Sequence, residues 1–241
     1  MVWCAQTTLK EIRKVKGLYI TITGLPATGK SDHAKFLASK LRGVHAGPVI
    51  FKTDLPHGML ETWRSYHQDE SGDSALRLQH ERDLIARSCS FARKMADAGT
   101  CVVLERHLCS ASAVDYWRDN GAASKDLSYF AHLDALYGRP DLSIIVSIRQ
   151  VGKLMRSHAF QRYTQIAKSH GEFPEIASMP SRDLFRARAE LHRYVSDARV
   201  QEGNASRVMC ISGDHRASHI QRRMWEMILR TFPDLVPDQR A

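Results

Sequence analysis

The stretch Leu18-Tyr-Ile-Thr-Ile-Thr23-Gly24-Leu25-Pro26-Ala27-Thr28-Gly29-Lys30-Ser31 decides how this chain folds. Its first six residues are apolar or β-branched without alternation, so they read as a strand covered on both faces. Beyond Lys30, Ala34, Leu37, Ala38 and Leu41 fall at i, i+3, i+4 and i+7, one face of a helix that ends near Gly43. Between strand and helix every fixed position of G-x-x-x-x-G-K-[ST] is filled, and that setting gives the motif its meaning. Gly24 and Gly29 permit backbone conformations closed to other residues, so successive N–H groups turn inward as an anion nest. The helix start adds partial positive charge, Lys30 is placed to reach β- and γ-phosphates, and the Ser31 hydroxyl is placed to ligate Mg²⁺. Gly24, Leu25, Pro26, Ala27, Thr28, Gly29, Lys30 and Ser31 are therefore the expected nucleotide-phosphate site.

Four further runs have strand length: Pro48–Lys52, Cys101–Glu105, Leu142–Ile148 and Arg207–Ser212. Longer helical patterns separate them, and right-handed crossovers are the usual way to join parallel neighbours. The expected fold is an α/β three-layer α/β/α sandwich with a five-stranded parallel sheet. One long helix has Ser74 as its expected N-cap, Leu84, Ser88, Phe91 and Met95 along its apolar face, and Gly99 just past its end. No Pro/Gly/Ser-rich linker divides the chain, so residues 1–241 read as one domain. The irregular stretch 169–180 reads as a loop rather than a boundary.

Composition sets outer limits. The chain has 241 residues, 43% of them hydrophobic and 25% charged, which excludes collagen-like, coiled-coil and disordered classes. Its longest strongly apolar run, 142–148, falls far short of the roughly 18–20 residues that cross a bilayer. The N-terminus lacks the apolar core of a secretory signal. A cytoplasmic setting without a membrane partner is expected. Cys4, Cys89, Cys101, Cys109 and Cys210 form no C-x-x-C pair and read as reduced thiols, with Cys101 and Cys210 filling the core. A formal charge of +9 suits capture of polyanions such as nucleotides. Nucleic acid is not the expected partner, because there is no basic block, zinc finger, aromatic-basic pattern or repeat.

GTPases, ATPases, motors and small-molecule kinases share the phosphate loop, so other residues must discriminate. Neither N-K-x-D nor an apolar run closed by Asp-Glu is present. Instead the third strand run ends in Glu105-Arg106-His107-Leu-Cys-Ser110, a carboxylate and an arginine delivered together at the ligand-binding end of a parallel sheet.

In order and spacing the chain resembles the thymidylate kinase and deoxynucleoside kinase group of P-loop kinases, over most of its length. The residues that carry the likeness are Gly24 to Ser31, Ile50-Phe-Lys-Thr-Asp54 where the group has a strand-two acid, and Glu105-Arg106-His107 with Ser110 where it has D-R-Y/F followed by Ser. Arg139-Pro140-Asp141-Leu142 is similar to the P-D-L that opens strand four, ahead of an arginine-bearing lid. Glu105-Arg106 is also similar to the Glu-Arg-Ser of deoxynucleoside kinases. The likeness implies a P-loop NTPase fold of the nucleotide-kinase type, ATP as donor, Mg²⁺ as cofactor and a homodimer.

Site roles follow from the same likeness. Glu105 is expected to hold Mg²⁺ with Ser31, and Arg106 to contact phosphate or the acceptor, near Ser110. Asp54 is expected to orient the acceptor or take its proton, and Arg82 or Arg87 to grip an acceptor monophosphate. Arg149, Lys153 and Arg156 fall at i, i+4 and i+7, one helical face in a lid-like segment of about 149–180. Lys30, Asp54, Arg106 and Arg156 form the expected catalytic set. Asp214 either lies at the adenine or caps the last helix. The chain departs from the pattern at Leu78, where an aromatic is usual one turn before Arg82, and at His107. Four functions stay open at this point. The first is phosphorylation of a nucleoside monophosphate such as dTMP; next come a deoxynucleoside 5′-hydroxyl and another nucleoside-like alcohol. Last is a binding module, for nucleotide or nucleic acid, without turnover. Lys30 together with Glu105-Arg106 favours an enzyme.

Overall fold

β1 (Tyr19–Gly24) occupies the middle of the sheet and is paired in parallel on both sides, with β3 (Cys101–Glu105) and β4 (Leu142–Ser147). β2 (Val49–Phe51) adds outside β3 and β5 (Val208–Ser212) outside β4, giving the order β2-β3-β1-β4-β5, all parallel. The computed structural model describes residues 17–24, 27–51, 74–105, 135–158, 160–162, 165 and 208–235, leaving aside the side chains of 74–85, 151 and 155.

The strands are apolar on both faces because both faces are covered. On one side, α1 (Lys30–Arg42) and α4 (Ala217–Thr231) pack against Ile20, Ile22, Val103, Ile144 and Ile211. The expected stripe Ala34, Leu37, Ala38 and Leu41 is fully buried there, joined by Ile220, Met224 and Ile228 of α4. On the other side, α2 (Ser74–Asp97) lies over Tyr19, Val102 and Leu104. Gly99 ends α2 as anticipated: at φ +95 it lets its own N–H reach the Ala96 carbonyl and the Thr100 N–H reach that of Met95.

Four readings need correction. The buried face of α2 is Ala86, Cys89, Ala92 and Ala96, while Ser88, Phe91 and Met95 are half-buried at its rim. Small side chains bring the helix close to the sheet, and the larger ones are displaced outward. Cys101 is core, but Cys210 is exposed, because β5 is an edge strand whose Met209 and Ile211 turn inward and whose Cys210 turns away. Arg149 does not share a helix with Lys153 and Arg156. α3 (Val151–Met155) has Gln150 as its N-cap and Arg156 as its C-cap, and Arg149 precedes it. Asp214 does not cap α4, whose N-cap is Arg216.

Asp141 has a structural task that its place in the P-D-L motif does not reveal. Its Oδ2 accepts the Tyr19 N–H at 2.8 Å and Arg93 Nη1 at 3.1 Å, joining the start of β4 to the start of β1 and to α2. Arg93 also donates to the Arg139 carbonyl and pairs with Asp97 one turn on. Burial works to lower the Arg93 pKa, but hydrogen bonds and charge from Asp97 and Asp141 outweigh it and hold the guanidinium above its ordinary value. Asp141→Ala should lower stability by about 1.5–3 kcal/mol, the range for charge-assisted hydrogen bonds whose partners are left behind. Urea unfolding monitored by circular dichroism checks this; a loss below about 0.5 kcal/mol, the ordinary surface value, contradicts it.

Candidate active site

The parallel pairing carries the C-terminal ends of β1 and β3 to one edge, with Ile22 in register with Glu105 and Gly24 with Val146. That register sets the site. Gly24 has φ +154, and a Cβ there would stand 2.6 Å from the Val146 carbonyl oxygen, so only glycine leaves the sheet on this path. Ala27 at φ +60 and Gly29 at φ +77 are both left-handed, the backbone alternation from which anion nests are built. Ala27 is the only non-glycine with positive φ among the described residues, strain that suits a loop shaped for a ligand.

Gly29 is also the N-cap of α1 and offers no side-chain acceptor to the first turn. The orphan N–H groups at that end are aimed where a phosphate would sit. Lys30 opens the helix, and Asp32 in the first turn has the charge sign that the helix dipole favours. His33 lies beneath the loop, 2% exposed, with its backbone N–H donating to the Gly29 carbonyl at 3.0 Å.

Ser31 and Glu105 are 74 residues apart in sequence, yet Ser31 Oγ–H donates to Glu105 Oε2 at 2.7 Å. Two hard oxygen groups thus converge beside the phosphate loop. Mg²⁺ is commonly held by one or two protein oxygens, the rest of its shell being phosphate and water, so these residues fit the ion. Among the described residues no group of three or more His, Cys, Asp or Glu side chains forms a dedicated metal cage.

Across the sheet edge, Asp214 clamps the ends of β4 and β5. Its Oδ2 accepts the Arg149 N–H at 3.0 Å and the Ser212 hydroxyl at 3.0 Å, and its Oδ1 accepts the Gln150 N–H at 3.4 Å. These bonds hold Arg149 and Gln150 out of α3. Arg149, Lys153 and Arg156 are all exposed to solvent. Arg87 is exposed on α2, whereas only the backbone of Arg82 is described. Leu25, Pro26, Asp54, Arg106 and Ser110 lie outside the described residues, as does the lid-like segment from 166 on. His33 escaped the sequence reading. Its signal was available, since position 33 is one turn before Leu37 on the apolar stripe and yet holds a polar ring.

A parallel sheet of order β2-β3-β1-β4-β5, with a phosphate loop leaving its central strand and a Ser–Glu pair beside it, defines the P-loop class of nucleotide kinases. Known proteins narrow the class. The thymidylate kinase of Xylella fastidiosa strain M23 is 30% identical over 190 residues, spanning 76% of this chain and 80% of that protein. That of strain 9a5c is 31% identical over 190 residues, spanning 75% and 83%. The structure of thymidylate kinase from Candida albicans superposes with a TM-score of 0.54 over 91% of this chain and 94% of that one, at 14% identity, a likeness of fold. No family model matches the chain. The chain belongs to the thymidylate kinase family, and it is a phosphotransferase.

Gly24→Ala should cost about 2–4 kcal/mol, combining a strained left-handed backbone with a clash at the Val146 carbonyl. Thermal unfolding and nucleotide binding should both deteriorate. A variant with unchanged melting temperature and unchanged ATP affinity would contradict the loop geometry.

Proposed function

We propose that the protein transfers the γ-phosphoryl group of ATP to dTMP, giving dTDP and ADP, with Mg²⁺ as cofactor. The observation that carries this reading is the meeting of Ser31 and Glu105 beside the phosphate loop. Backbone N–H groups of the loop and of the first turn of α1 would hold the donor's β-phosphate, and Lys30 would neutralise charge on the β- and γ-oxygens. Ser31 and Glu105 would hold Mg²⁺, which supplies charge neutralisation across those oxygens when bound. Arg106 follows Glu105 directly and would face the transferring group; Arg149, Lys153 and Arg156 would bring positive charge from the segment after β4. Asp214, whose carboxylate fixes the β4 and β5 ends, would border the adenine.

At the acceptor, a phosphate oxygen of dTMP attacks the γ-phosphorus while the bond to the β–γ bridging oxygen breaks and ADP leaves. Phosphate monoesters have a second pKa near 6, so the attacking oxygen is largely ionised at pH 7 and needs no proton removed. Asp54 would therefore orient the acceptor rather than act as a base. Arg82 or Arg87 would grip the acceptor phosphate; five residues apart on a helix, their positions lie about 140° apart around the axis, so one of them would carry the contact. Its relatives are thymidylate kinases, which favours a monophosphate over a free nucleoside as acceptor. The reading places the protein in the cytoplasm, where its donor is abundant.

The test is an acceptor panel of all nucleosides and nucleoside monophosphates with labelled ATP. Turnover should be highest with dTMP, and Lys30→Ala should abolish it with circular dichroism unchanged. Truncating the correct arginine to Ala should raise the Michaelis constant for dTMP roughly tenfold to a hundredfold, at 1.4 kcal/mol per decade, while that for ATP barely moves. Greater activity on free nucleosides than on every monophosphate, with neither Arg82→Ala nor Arg87→Ala altering the ranking, overturns the assignment.

A further inference from the structure

His33 has no part in the roles assigned above, yet it is placed where few histidines are tolerated. It is 2% exposed, and its Nδ1 is buried without a hydrogen-bond partner, an arrangement that usually costs about 1–3 kcal/mol. An apolar residue on the stripe of Ala34, Leu37 and Ala38 would avoid that cost, so packing alone does not account for an imidazole. The ring lies where Gly29 lacks a side chain: a Cβ on Gly29 would stand 3.5 Å from His33 Nε2 and 3.9 Å from Cδ2 and Cε1, ordinary contact distance. The imidazole thus backs the left-handed turn of the phosphate loop, with Nε2 the ring atom nearest to it.

We propose that His33 is a positioning residue for the phosphate loop, its ring packed beneath Gly29 on the Nε2 edge, so that the nest is held in its anion-receiving shape before nucleotide arrives. This deepens the reading of the loop as the ATP site and depends on it. The affinity of the nest should then depend on whether the space filled by the Nε2 edge of the ring stays filled. Glutamine can place an amide nitrogen near the Nε2 position, whereas asparagine can reach only the Nδ1 position.

The experiment is isothermal titration of ATP into wild-type protein and into His33→Gln, His33→Asn and His33→Ala, with the melting temperature of each recorded. Steady-state constants for ATP and dTMP follow on the same preparations. His33→Asn and His33→Ala should weaken ATP binding about tenfold, equivalent to 1.4 kcal/mol, while His33→Gln stays within threefold of wild type. The Michaelis constant for dTMP should stay within twofold throughout. If His33→Ala does not fold, the comparison of Gln with Asn decides. Equal ATP affinity in the Gln and Asn variants, or parallel losses for ATP and dTMP, overturns the proposal. Failure of the function reading looks different: the wild-type protein itself would then bind no ATP or give no dTDP.

Discussion

Adjacency and register of β1 and β3 are the constraint on which the rest of the site depends. Because the two strands are parallel and Ile22 is opposite Glu105, the strand that launches the phosphate loop ends beside the strand that delivers a carboxylate. The 2.7 Å contact of Ser31 with Glu105 is the consequence, and it joins residues that sequence separates by 74 positions. An antiparallel β3, or a slip of one residue, would turn Glu105 to the opposite edge or face. The apolar core serves this arrangement: α1 and α4 on one side and α2 on the other clamp the sheet, while Asp141 with Arg93 fixes the lower ends of β1 and β4.

The backbone of the phosphate loop was the part most legible in the sequence. A phosphate loop is a local motif, and local backbone constraints such as those of Gly24 and Gly29 are imposed by residue type alone. Strand positions were legible because continuous apolarity is forced on a sheet covered on both faces. Sheet order was not, since nothing in five apolar runs says which neighbours pair. The helix faces were half legible. α1 has a stripe with large Leu residues that announces itself, whereas α2 uses Ala86, Cys89, Ala92 and Ala96, and small side chains give a weak periodic signal that Phe91 and Met95 override.

Cys210 and Asp214 show where one-dimensional reading stops. Cys210 sits in an apolar run, but an edge strand has one face that the packed layers need not cover. Asp214 looks like a helix cap from its position before α4, yet its carboxylate accepts backbone N–H groups from residues 64 and 65 positions earlier. Both depend on which strands lie at the rim.

The central claim is that Ser31 and Glu105 together form the metal-binding corner of a nucleotide site. Mn²⁺ can stand in for Mg²⁺ as a hard, oxygen-seeking ion with an electron paramagnetic resonance signal. Titrating Mn²⁺ and ADP into wild-type protein and into Glu105→Gln tests the claim most directly. The account predicts that the ternary complex forms with the wild type, and that Glu105→Gln holds the ion about tenfold more weakly or worse while ADP alone binds as before. Equal Mn²⁺ affinity in the two proteins would contradict it.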